Sequence, residues 1–235
     1  MGEKLYIVIP VYNEQDIIEK VVRDWHKVAE KTGNNSRVAV FNDGSKDDTL
    51  AILQALKNQL PFLEIIDKPN SGHGQTCLFA YRYALAQGAN FIFQTDSDDQ
   101  TYTEDFWQFW DKRHEHNFIF GFRRKRGDGF VRWVISKVLS GVIFAIFGVF
   151  IKDSNVPFRL HKSQVLKNYL ERVPPNFYLA NSLLPILFAK GGEKIKWLDI
   201  KFAARKHGVD SVPIKKMFRV GFRVVRDFIQ LKRSL

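Results

Sequence analysis

The most chemically suggestive stretch of this 235-residue chain is Asp96-Ser97-Asp98, which directly follows the apolar run at 90–94. On an extended segment the side chains at i and i+2 point the same way, so two such carboxylates can share a hard divalent cation. Mg²⁺ and Mn²⁺ suit an all-oxygen set of this kind, with phosphate oxygens as the remaining ligands. The blander reading of the same triplet is a solvated loop with helix-capping aspartates. Three further polar stretches each follow an apolar run: Tyr12-Asn13-Glu14, Asn42-Asp43-Gly44-Ser45, and 68–74. None of them holds a GxGxxG or GxxxxGK[ST] pattern, which excludes a dinucleotide fingerprint and a P-loop. With Asp and Asn where phosphate-cradling glycines would stand, a diphosphate here would be held through a metal. Arginines later in the chain, among them Arg123, Arg124, Arg126, Arg132 and Arg205, are suited to a second anion, because a guanidinium binds phosphate bidentately and stays charged.

These residues need a framework, and the first hundred residues alternate short β-rich runs with helix-like stretches: 6–11 then 16–30, 37–41 then 48–58, 63–67 then 75–87, and finally 90–94. This βαβαβαβ order predicts a parallel sheet with helices on its faces, and the nearly all-apolar strands agree. In open sheets of this kind ligands bind beyond the carboxyl ends of the strands, where the four polar stretches fall. After Gln100 the alternation fails. An aromatic helix over 103–116, a short strand over 118–122, a basic stretch and an apolar stretch follow.

Charge divides the chain. Residues 1–120 hold 12 basic and 18 acidic side chains, a net of −6, and residues 121–235 hold 24 and 7, a net of +17. A uniformly basic nucleic-acid binder would not carry an acidic first half, so the polyanion should approach the second half. The single cysteine, Cys77, rules out an internal disulfide and a zinc knuckle, which makes a reducing compartment the default. The N-terminus lacks the flanks of a signal peptide, and Tyr6 stands where a myristoylation pattern wants Ser or Thr.

The motifs together resemble family 2 of the inverting GT-A glycosyltransferases, and within it the polyprenyl-phosphate (dolichol- or undecaprenyl-phosphate) sugar transferases. The resemblance is carried by Ile9-Pro10-Val11-Tyr12-Asn13-Glu14, the 42–49 segment NDGSKDDT, Asn70-Ser71-Gly72-His73-Gly74, Asp96-Ser97-Asp98-Asp99-Gln100, Gly121-Phe122-Arg123, Arg132-Trp133-Val134-Ile135-Ser136, the 153–159 segment DSNVPFR and the 205–211 segment RKHGVDS. It implies an α/β GT-A fold: a Rossmann-like, mainly parallel sheet flanked by helices. It also implies metal-dependent transfer of a sugar from a UDP- or GDP-sugar donor to a polyprenyl-phosphate acceptor, with inversion. Position by position, Pro10, Tyr12 and Glu14 would line the nucleotide pocket and Asp43 would accept hydrogen bonds from the base. His73 and Ser97 would lie near the donor. Asp96, Asp98 and Gln100 would hold Mg²⁺ or Mn²⁺, and Arg123, Arg132 and Arg205 would hold the acceptor phosphate. Asp153 would sit near the reaction centre, with a plain helix-end carboxylate as the equal alternative. Asn42 stands where many relatives have Asp, which lowers the negative charge beside the diphosphate, and Pro157 stands where many have Gly. A phosphate-monoester acceptor is already anionic at neutral pH, so no strong general base is required. A soluble glycan, protein or other lipid is the alternative acceptor class. A basic nucleic-acid or membrane-surface adaptor is the remote alternative, and the donor-side motifs weigh against it, so no nucleic-acid partner is expected.

Two segments are expected at a membrane. The 14 apolar or small residues at 138–151 would make a helix roughly 21 Å long, short of the ~30 Å hydrocarbon core. The reading is an interfacial helix within 129–151, where the acceptor's tail would enter; a buried core helix is the alternative. Residues 212–235 form a basic amphipathic pattern suited to an anionic membrane surface, with a soluble docking helix as the alternative. The expected organisation is a catalytic domain over 1–211 and an amphipathic C-terminal helix over 212–235. The expected placement is peripheral, on the cytoplasmic face of a membrane, with a separate small membrane subunit as a candidate partner. His114, His116 and His161 lack metal-ligand spacing and are read as surface or satisfied histidines.

Overall fold

The computed structural model of the chain describes residues 2–124, 130–174, 177–203 and 224–232, by backbone alone over 130–135. The expected first half is present: β1 (Leu5–Val11), α1 (Ile18–Thr32), β2 (Arg37–Asp43), α2 (Thr49–Lys57), β3 (Leu63–Lys68), α3 (His73–Ala86) and β4 (Phe91–Gln94). All seven residues of β1 are buried, as a strand covered on both faces requires. On α1 the buried positions Ile18, Val21, Val22, Trp25, Val28 and Ala29 recur at helical spacing. Trp25 meets Phe93 and Phe158 with ring centroids 5.3 and 5.9 Å away.

Beyond β4 the chain departs from a simple alternation. A single 3-10 turn at Thr103–Asp105 and a six-residue helix, α4 (Phe106–Asp111), stand where a helix over 103–116 was expected. Phe106, Phe109 and Trp110 are buried, so the aromatic content serves the core. Next come β5 (Phe118–Arg123), α5 (Phe130–Phe147), β6 (Arg159–Lys162), α6 (Ser163–Leu170), α7 (Ala180–Lys190) and β7 (Ile195–Ile200). The seven strands form one sheet in the order β3-β2-β1-β4-β6-β5-β7. Strand β6 is antiparallel to both β4 and β5, and the other pairings are parallel.

This order fixes where the site must lie. The chain winds from β1 through β2 to β3 in one direction and then places β4 on the other side of β1, so a crevice opens beyond the carboxyl ends of β1 and β4. Because β6 runs against its neighbours, its first residue, Arg159, pairs with Gln94 at the end of β4 and with Phe120 on β5. The ends of β4, β5 and β7 and the start of β6 therefore share one edge of the sheet.

Helix α5 has two different faces. Ile143 and Phe147 are buried, whereas Val138 and Phe144 are 60% and 57% exposed, and Phe150 just beyond the helix is 69% exposed. One side of the apolar stretch belongs to the core, as the buried-helix alternative has it, and Val138, Phe144 and Phe150 stand exposed on the other. Among the described residues no helix is long and apolar enough to cross a membrane. The last described segment, 224–232, is helical. Its buried stripe of Val224, Phe228 and Leu231 packs on the protein, with Phe228 5.6 Å from Phe147 and 6.4 Å from Phe177. Tyr178 donates to Asp227 Oδ2 at 3.0 Å. Over these nine residues the docking alternative is the one observed.

Candidate active site

The loops after β1 and β2 are joined by side-chain to backbone hydrogen bonds. Asn13 takes a left-handed conformation with φ 53°, which asparagine tolerates better than most residues. Its N–H donates to Ser45 Oγ at 3.0 Å, and its Oδ1 accepts the Lys46 N–H at 2.8 Å. The Glu14 N–H donates to Thr49 Oγ1 at 2.9 Å, while the Glu14 carbonyl accepts the N–H groups of Ile17 and Ile18 at the start of α1. Pro10 is buried at the end of β1, and Tyr12 is exposed.

Asn42 and Asp43 bind different neighbours. Asn42 Nδ2 donates to Asp67 Oδ1 at 2.7 Å, and its Oδ1 accepts from Ser45 Oγ at 2.5 Å. An aspartate at 42 would set two carboxylates against each other, so the amide has a local reason to be there. Asp43 is buried and its oxygens are engaged: the N–H groups of Ser71 and Gly72 donate to it at 2.8 and 2.9 Å, and the Lys68 ammonium pairs with it. Burial alone would raise the Asp43 carboxyl; Lys68, Ser71 and Thr76 outweigh that and hold it below the usual carboxylate range. Lys68 also donates to the Pro69 carbonyl at 2.9 Å and to Ser71 Oγ at 2.7 Å. The carboxylate expected to read a base is thus also the clasp of the 69–72 loop. Lys68 opens the polar stretch at 68–74, and nothing in the sequence marked it as the partner of Asp43.

That loop delivers α3. Gly72 has φ 85°, and a Cβ at Gly74 would lie 1.8 Å from the Tyr178 carbonyl oxygen, so both glycines serve backbone geometry. His73, the first residue of α3, is half exposed with its Nε2 3.7 Å from Asp96 Oδ1. The Cys77 sulfur first, and then the Asp96 and Asp98 carboxylates, raise the imidazole to about 10 against the opposing effect of burial.

The acidic loop after β4 is pinned at both ends. Asp99 takes φ 56°, and its carboxylate receives Lys20 of α1 at 2.6 Å. The Gln100 N–H donates to Asp98 Oδ1 at 3.2 Å. Gln100 and Ala203 exchange two bonds of 2.8 Å, Ala203 N–H to the Gln100 carbonyl and Gln100 Nε2 to the Ala203 carbonyl. With its amide nitrogen committed, Gln100 has its amide oxygen left to offer a cation. Ser97 is buried between the two carboxylates in sequence, and Asp96 and Asp98 are each partly buried. Among the described residues no group of three His, Cys, Asp or Glu side chains could hold a metal. Two carboxylates and an amide oxygen fit a hard cation whose other ligands come from a bound diphosphate.

On the β5–β6 side, two residues expected to act separately form one buried ion pair. Arg123 Nε and Nη2 donate to Asp153 Oδ2 and Oδ1, both at 2.8 Å, and the guanidinium lies 4.8 Å from the Phe202 ring. Arg123 therefore reaches any acceptor phosphate only in competition with Asp153. Arg159 is fully buried and donates to the carbonyls of Val156 at 2.6 Å and Ser154 at 2.9 Å, fixing the loop that presents Asp153. Arg132 lies on α5 but its side chain is outside the described residues, as is all of Arg205. Arg205 follows the Gln100–Ala203 junction by two residues, so the acidic loop is bonded to the start of the segment that carries it.

These features have counterparts in known proteins. A model of glycosyl transferase family 2 matches residues 6–177. The chain is 24% identical over 253 residues to a UDP-N-acetylglucosamine–dolichyl-phosphate N-acetylglucosaminyltransferase of Methanococcus voltae, covering 99% of this chain and 98% of the relative. It is 22% identical over 220 residues to an undecaprenyl-phosphate 4-deoxy-4-formamido-L-arabinose transferase of Edwardsiella ictaluri, covering 93% of this chain and 66% of the relative. The chain thus spans about two thirds of the length of that bacterial relative. Among solved structures, glucosyl-3-phosphoglycerate synthase from Mycobacterium tuberculosis with bound UDP superposes with a TM-score of 0.69 at 15% identity, covering 98% of this chain and 80% of that one, which speaks to the fold. With the family model matching residues 6–177, from β1 through α6, the chain belongs to glycosyl transferase family 2.

Proposed function

We propose that the protein transfers a sugar from a nucleotide-diphosphate donor to a polyprenyl phosphate, forming a lipid-phosphate-linked monosaccharide with inversion at the anomeric carbon. The observation that carries this reading is the convergence on one sheet edge of the Asp96–Gln100 loop, the Asp43–Lys68 clasp and His73. Tyr12, Glu14 and the clasped 69–72 loop bind and orient the nucleoside. Asp96, Asp98 and the Gln100 amide oxygen would hold Mg²⁺ or Mn²⁺. When bound, such a cation supplies Lewis-acid stabilisation of negative charge on the departing diphosphate. His73 stands on the same side, 3.7 Å from Asp96.

An oxygen of the acceptor phosphate forms the new bond to the anomeric carbon. The bond from that carbon to the diphosphate oxygen breaks, and its electron pair leaves with the nucleoside diphosphate. Arg132 and Arg205 would hold the acceptor phosphate against the repulsion between two anions, with the Arg123–Asp153 pair on the β5–β6 side of the site. Val138, Phe144 and Phe150 offer the lipid tail an apolar route and set the protein on a membrane surface, alone or with a separate membrane subunit.

Incubation with radiolabelled sugar nucleotides, Mn²⁺ and either undecaprenyl phosphate, dolichyl phosphate or soluble glycans tests the reading. Label extracted into organic solvent only with a polyprenyl phosphate is the expected result. Label passing to a soluble acceptor, with none in lipid, would overturn the acceptor assignment.

A further inference from the structure

We infer that Asn181 recognises the sugar of the nucleotide donor, an inference that rests on the donor reading above. Asn181 is the second residue of α7 and is 5% exposed. The chain before it is held on the first turn of α3: Gln75 Nε2 donates to the Phe177 carbonyl at 2.8 Å, and the missing side chain of Gly74 admits the Tyr178 carbonyl. This docking sets the Asn181 amide nitrogen 3.4 Å from His73 Nε2, and the same ring nitrogen is 3.7 Å from Asp96 Oδ1.

The other end of that amide, Oδ1, is buried and has no hydrogen-bond partner in the protein. Turning the amide over exchanges the two ends and leaves one of them unmatched in either orientation. An unmet buried amide group is costly, and in native structures such groups cluster where a ligand or water completes them. On the donor reading, Asp96 and Asp98 would hold the diphosphate through the cation, and the hexose attached to that diphosphate would then lie within reach of His73 and Asn181, which stand next to Asp96. A primary amide can both donate to and accept from neighbouring hydroxyls, or an N-acetyl group, and so can distinguish one hexose from another.

Dissociation constants with Mn²⁺ present, for UDP and GDP and for UDP-glucose, UDP-N-acetylglucosamine and GDP-mannose, test this in the wild type, Asn181→Ala and Asn181→Leu. The expected result is a loss of roughly tenfold for the preferred sugar nucleotide, the equivalent of one hydrogen bond of about 1.4 kcal/mol, and under about twofold for its parent nucleoside diphosphate. The near-isosteric Asn181→Leu removes both polar ends. Its ligand-free melting temperature should therefore hold or rise while sugar affinity falls, which a merely structural asparagine would not do. Equal losses for sugar nucleotide and nucleoside diphosphate, or no loss, would overturn the assignment. Wild-type protein that binds nucleoside diphosphates and no sugar nucleotide would instead overturn the donor reading itself.

Discussion

Breaking the Arg123–Asp153 pair should be among the most damaging changes to the fold, and the structure sets the size of the effect. The guanidinium makes two 2.8 Å bonds to the carboxylate, with the side chains only 7% and 4% exposed. Removing one member of a pair buried this deeply strands a charge in a poorly solvated place and costs about 3–5 kcal/mol. At about 2–4 °C per kcal/mol for a chain of this size, the melting temperature should fall by roughly 6–20 °C for Arg123→Met or Asp153→Ala alone. The double variant leaves neither charge behind and should be no less stable than the worse single variant, so the cycle should return a coupling of about 3 kcal/mol. Urea titrations of the four proteins measure each free energy. Additive losses, with no coupling, would refute the argument and leave Arg123 a cation available to an acceptor phosphate.

Other outcomes follow from named contacts. Lys68→Met removes the ammonium from Asp43, Ser71 and the Pro69 carbonyl, so the 69–72 loop should loosen and nucleoside-diphosphate affinity should fall about tenfold by calorimetry. Acid should destabilise the protein from about pH 6.5 downward. Burial lowers the His26 imidazole against the pull of Glu30, and burial with Arg159 nearby puts His161 well below its ordinary value. Both stay neutral when folded while the unfolded chain takes up protons near 6.5, so each should remove about 1.4 kcal/mol per pH unit until its folded value is reached. His161→Phe, which suits the cage of Tyr81, Phe118, Phe120 and Phe188 around that ring, should make the slope measured by urea titration below pH 6.5 shallower.

The first four strands and three helices were legible because each obeys a local rule: apolar runs of strand length, helical periodicity, and turn residues between them. Every polar stretch picked out beyond those strands lands on one edge because parallel topology gives it no alternative. The second half was harder to read for tertiary reasons. Strand β6 is four residues long and includes Arg159, His161 and Lys162; Arg159 and His161 are buried between β4 and β5, where loop carbonyls take the guanidinium and aromatic rings surround the imidazole. The aromatic segment after Gln100 has helix-like spacing to 116 but ends at Asp111, since its large rings pack sideways onto Trp25 and Phe93. At the site, charge pairing was invisible in one dimension. Arg123 and Asp153 are 30 positions apart, Lys20 and Asp99 are 79 apart, and Asn181 reaches His73 across 108. The stripe at 224, 228 and 231 shows the same limit, since periodicity gives an apolar face without saying whether protein or lipid covers it.

The account turns on the Asp96–Asp98 loop as the place where a metal-chelated donor is held. Electron paramagnetic resonance of Mn²⁺, titrated into wild type and Asp98→Ala with and without UDP or GDP, measures this without depending on the acceptor. Protein-bound Mn²⁺ that appears with a nucleoside diphosphate in the wild type, and is lost in Asp98→Ala at unchanged melting temperature, is the predicted result. Equal Mn²⁺ binding by both proteins would contradict it.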